Sequence, residues 1–82
     1  MELKIGQVVK SLAGHDKGDY AVIADFENEK VLVCDGKHRP LEKPKCKNPK
    51  HLEATEMFLT KDSMATNRKL RKTLNKIANP GG

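Results

Sequence analysis

Four side chains of metal-ligating type stand between positions 34 and 51: Cys34, His38, Cys46 and His51, in the pattern C-x3-H-x7-C-x4-H. Zinc takes four cysteine or histidine ligands in a tetrahedron, so the chemistry is of the right kind. The spacing matches no common finger, however, and the quartet lacks a C-x2-C pair. Cys34 also ends the apolar run "KVLVC", where a lone cysteine is a core residue. No metal and no other cofactor is expected. His15, His38 and His51 are the possible general bases. No motif pairs them with a nucleophile or an acid, as catalysis requires, and no enzymatic activity is expected.

The remaining chemistry is recognition of phosphate by cations. The chain has 82 residues, 16 lysines and arginines, 11 acidic residues and a formal net charge of +5. This charge is segregated. Residues 1–36 are mildly acidic, whereas 37–51 hold Lys37, Arg39, Lys43, Lys45, Lys47 and Lys50 against Glu42 alone. Such segregation points to a surface for a polyanion, or else to a solvated basic tail. Lys43, Lys45 and Lys47 alternate among Pro40, Pro44 and Pro49. Proline excludes helix there, so the three ammonium groups are expected on one side of an extended chain.

A second candidate is the loop within "SLAGHDKGDY". Gly14 and Gly18 can take positive φ and let backbone amides approach a phosphate, with Lys17 and His15 between them. The plainer reading is that both glycines make a turn.

The elements that hold these groups are short. "QVVKSL" reads as a first strand, from Gln7 to about Leu12. "DYAVIADF" is a central strand, apolar on both faces, with Tyr20, Val22, Ala24 and Phe26 on one of them. "KVLVCDG" is a third strand, closed by the Asp35-Gly36 turn signal. Proline allows no more than an edge strand around Arg39 to Glu42. Residues 54–65 read as an irregular connection, with Leu52, Met57, Phe58 and Leu59 covering part of the core. From Thr66 to Asn79 a capped helix carries the stripe Leu70, Leu74, Ile77 and Ala78, which should dock on its own domain.

One domain is expected from the length, and a meander this short needs to curl into a small barrel to bury much surface. The division is a barrel over 1–53, including the basic segment 37–51, then the connection 54–65 and the helix 66–79. No apolar run approaches a membrane span, and "MELKIGQ" has no signal-peptide pattern. Two cysteines make no disulfide framework, so a cytoplasmic protein with reduced thiols is expected.

The stretch "IGQVVKSLAGHDKGDYAVIADFENEKVLVCDG" resembles the KOW motif, with Gly6, Gly14 and Gly18 at the matching places. Many KOW sequences have a further glycine where Ala21 stands. That departure makes the stretch more similar to the KOW ribosomal proteins of the archaeal and eukaryotic large subunit than to NusG-type elongation factors. It looks most like short bacterial proteins of that type, in which a lysine-rich stretch follows the "DG". The resemblance covers residues 5–36 and extends through the basic stretch to about His51. It implies a mostly β, SH3-like barrel that binds structured RNA, commonly ribosomal RNA of the large subunit, without catalysis. It also implies that the first loop and nearby basic residues face RNA. The expected RNA-binding set is Gly14, His15, Lys17, Gly18, Lys37, Arg39, Lys43, Lys45, Lys47 and Lys50, with no membrane partner and no small-molecule substrate. The acidic first part leaves a second reading open, an SH3-like protein-interaction module.

Overall fold

Strands β1 (Gln7–Ser11), β2 (Tyr20–Glu27) and β3 (Lys30–Cys34) form an antiparallel meander. The computed structural model describes residues 2–81. Beyond the meander come a short strand β4 (Lys45–Lys47), a 3-10 turn at Pro49–His51, strand β5 (Leu52–Phe58) and helix α1 (Asn67–Ala78). The five strands make one antiparallel sheet in the order β4-β3-β2-β1-β5. The class is the mostly β, small barrel-like fold expected, with a C-terminal helix. Among the described residues no helix is long and apolar enough to cross a membrane.

The sheet is buried on both faces, as the run "YAVI" requires. On one face Val8, Val22 and Cys34 lie side by side in register and pack against Leu70 and Leu74 of α1. On the other, Val9, Ile23, Val31, Val33 and Leu52 form the inner core. Each fully buried aliphatic side chain stabilises the fold by roughly 1.5–3 kcal/mol. The helix therefore contributes to one half of the core rather than decorating it. Thr66 caps it, its hydroxyl accepting from the Lys69 amide at 3.1 Å.

Three expectations change. Phe26 does not share a face with Tyr20, Val22 and Ala24. The register slips by one between Ile23 and Asp25, and this bulge turns Phe26 to the inner side, opposite Val31. There, at the strand's end, it is 42% exposed. Residues 54–58, read as part of an irregular connection, belong to strand β5, and its Met57 and Phe58 are exposed rather than laid over the core. β5 alternates weakly and is fixed by its long-range pairing with β1. That pairing has its own bulge between Gln7 and Val9. There the Thr55 hydroxyl donates to the Val8 carbonyl at 2.7 Å, and the side-chain Nε2 of buried Gln7 donates to the Thr55 carbonyl at 2.9 Å. Finally, Arg39 to Glu42 form no edge strand. Pro40 starts a turn closed by the Lys43 amide at 3.0 Å, and the Leu41 amide donates to Asn67 Oδ1 of the helix at 2.7 Å. The edge strand forms beyond Pro44 instead, as β4.

Candidate nucleic-acid interface

The β1–β2 loop is built from the inside. The amides of Ser11 and Gly18 bond to the carbonyls of Asp19 and Ser11, at 2.9 and 2.8 Å. Within this frame the Lys17 and Asp19 amides turn back onto Gly14 and Asp16. Gly14 and Gly18 have φ of 89° and 91°, so the turn requires glycine at both places. The amides of Ala13, Gly14 and His15 are left without an acceptor among the described residues.

Asp16, between those glycines, is an anchor. Its carboxylate meets the Lys47 ammonium at 2.8 Å, and Ser11 Oγ lies 2.8 Å from the same ammonium. Burial alone would raise the Asp16 pKa. The hydrogen bond and charge of Lys47, with the Ser11 hydroxyl at 3.1 Å, more than offset it and hold the carboxyl below its usual range. The Lys47 side chain is 9% exposed and reaches from β4 at one edge of the sheet to the end of β1. One ion pair thus ties the β1–β2 loop to β4.

The expected row of three lysines is not formed. Lys47 is spent on Asp16, and Lys43 precedes β4 in the Pro40 turn. Lys45 and Lys47 do share a side, because they pair with Val33 and Val31 of the inner face, while Cys46 opposes Leu32. Inward-facing lysines on a short edge strand also keep other chains from pairing with it.

Between the loop and β4 lies an open groove. Of the expected residues it collects Gly14, His15, Arg39, Lys45 and Lys47, and it adds Lys30, Asn48 and His51. Its one carboxylate, Asp16, is paired, while Lys30, Arg39 and Lys45 have no ion-pair partner among the described residues. Asn48 shapes the groove's end by capping the 3-10 turn, its side chain accepting from the Lys50 amide at 3.0 Å. Gly18 and Lys37 line a different cleft on the helix side, with Asp19, Asp35, His38 and Arg71. Lys17, Lys43 and Lys50 are exposed and line neither. Lys30 was not expected, because the sequence places it in the acidic part. The β2–β3 hairpin and the β3–β4 pairing bring it to the groove.

The cysteine–histidine quartet is not assembled. Cys34 is fully buried under α1, whereas Cys46, His38 and His51 are exposed. Among the described residues no three histidine, cysteine or acidic side chains gather as a metal site. Burial first, then the carboxylates of Asp35 and Glu42, push the Cys34 thiol up to about 11. It is a packed thiol, not a nucleophile or a ligand.

The groove's means are therefore three unpaired cations, unused loop amides and two imidazoles. Groups of these kinds can hold an anion. Comparison of the chain with protein-family models and with curated proteins finds no match.

Proposed function

We propose that this chain is a non-enzymatic, cytoplasmic RNA-binding protein that holds the phosphate backbone of structured RNA, ribosomal RNA of the large subunit, in the loop–β4 groove. The observation that carries the reading is the gathering of Lys30, Arg39 and Lys45, free of carboxylate partners, beside the loop amides. Cations and backbone amides are the groups that proteins direct at phosphate oxygens. The resemblance of residues 5–36 to the KOW motif supports the same partner. Lys47 is here a positioning residue that fixes the loop, and only Lys45 of the alternating lysines faces the RNA from the groove.

One observation favours a protein-binding module instead. Ile5, Phe26 and Phe58 are 57%, 42% and 53% exposed, near the end of the sheet where β1 begins and β2 and β5 end. Sedimentation of lysate through a sucrose gradient separates the two readings. Co-migration with the large subunit, lost on raising the salt, is the expected result. A protein that stays at the top of the gradient and captures no ribosomal RNA would refute the RNA reading.

A further inference from the structure

Helix α1 has the sequence NRKLRKTLNKIA, with Arg68, Lys69, Arg71, Lys72 and Lys76 and no acidic residue. Leu70 and Leu74 are buried and Ile77 packs beside them, while all five cations are exposed. Arg68, Lys72 and Lys76 stand at i, i+4 and i+8, opposite the docked stripe, about 6 Å apart along the axis. The arrangement opposes helix stability in two ways. Arg68 and Lys69 occupy the first turn, where the helix dipole disfavours cations and where no acid is present. Like charges at i, i+4 destabilise the helix further. The relief is small. Lys69 meets Asp62 at 3.0 Å, and Arg68, Arg71, Lys72 and Lys76 have no ion-pair partner among the described residues.

A helix needed only to cover Val8, Val22 and Cys34 would be more stable with glutamates at some of these exposed positions. A local rule broken without compensation inside the chain marks a functional surface. We infer that the exposed face of α1 is a second binding surface for nucleic-acid phosphate backbone, distinct from the loop–β4 groove. The inference rests on the RNA reading for its partner and extends the footprint beyond the groove. A protein partner fits less well. Its interface would need aromatic or aliphatic anchors, and this row has none among its cations.

The test is the salt dependence of binding to a duplex RNA of defined length, for the parent, for R68Q/K72Q/K76Q and for the groove variant K30Q/R39Q/K45Q. The helix variant should bind with a slope of log K against log salt shallower by roughly 2 to 3 units, at about 0.7 to 0.9 per lost contact. Its melting temperature should hold or rise, because repulsion is relieved. A parent-like slope for the helix variant beside a shallower groove variant would overturn this inference and leave the groove reading intact. A change in the helix variant alone would uphold the inference and overturn the groove as the RNA site. Parent-like slopes in both would overturn both. A fall in melting temperature of several degrees would show that these cations serve the fold, and would also overturn the inference.

Discussion

The loop–β4 groove and the helix-side cleft lie on either side of the same loop, draw on the same basic segment, and differ in their acids. The groove holds Arg39, Lys45 and Lys30, and its single carboxylate is occupied by Lys47. The cleft holds Lys37 and Arg71 but also Asp19 and Asp35, and Leu74 and Ala78 of the helix line it. Asp35 in turn shapes its own loop, accepting from the Lys37 and Arg39 amides at 2.8 Å each. The cleft is thus where the helix is seated, with Asp19 and Asp35 among its cations, and the groove is where cations gather beside a carboxylate that is already paired. The number of lysines in a segment does not measure how much positive charge a surface offers; the acids folded in among them decide it.

The sharpest way to break this division is at Gly36. Its φ is 80°, and a Cβ there would run into the Asn67 carbonyl and come within 2.9 Å of the Arg71 amide. Gly36→Ala should cost about 3 kcal/mol through strain and displacement of the helix. For a domain of this size that corresponds to a melting temperature roughly 12 to 24 °C lower. Groove affinity, measured well below the new midpoint, should fall much less. An unchanged melting temperature would mean that α1 is not seated on this turn.

Lys47→Met acts within the groove but on its scaffold. It removes the partner of a partly buried carboxylate and should cost about 2 kcal/mol. The effect depends on pH. Because the folded Asp16 pKa is depressed, the pair's contribution is complete well above the unfolded carboxylate value of about 3.9. It fades as pH falls through the lower folded value. Denaturant unfolding should therefore separate parent from variant at pH 6, and the gap should close toward pH 2. A gap that persists in acid would assign the loss to packing of the lysine stem rather than to the ion pair.

Lys45→Gln should do the reverse. It removes one unpaired groove cation, so affinity for RNA should fall about fivefold near physiological salt, with the melting temperature unchanged. Equal effects of the Lys45 and Lys47 substitutions on both readouts would erase the distinction between contact and anchor.

The three strands of the meander, the helix with its cap and its docked stripe, and the loop turning on Gly14 and Gly18 were legible in the sequence, because each rests on local pattern. What failed depended on long-range pairing. β5 has a weak alternation and exists through β1. The bulge after Ile23 that turns Phe26 to the inner side has no local signature. The lysine row read from 43, 45 and 47 assumed a chain in isolation. Pairing with β3 instead turns Lys45 and Lys47 toward the inner face, where Lys47 meets an aspartate far away in sequence. Lys30 was missed for the same reason.

The smallest expected effect uses the two thiols as reporters of the two regions. Cys46 lines the groove and is exposed, whereas Cys34 is buried beneath α1 with its pKa raised to about 11. At pH 8 iodoacetamide should label Cys46 and spare Cys34 until the protein is unfolded. Bound RNA should slow labelling of Cys46 by a few fold. Rapid labelling of both thiols in the folded protein would contradict the seating of the helix.

The central claim is that unpaired cations of the groove hold RNA phosphates, and the salt slope of the K30Q/R39Q/K45Q variant tests it most directly. The three cations have no ion-pair partner among the described residues, so their loss should leave the melting temperature near that of the parent. The slope of log K against log salt should become shallower by roughly 2 to 3 units, with affinity on the order of a hundredfold lower near physiological salt. The loss should be similar for every RNA of the same length and form, since phosphate contacts carry no sequence information directly. A folded variant that keeps the parent's slope and affinity would contradict the account and remove the groove as the RNA site.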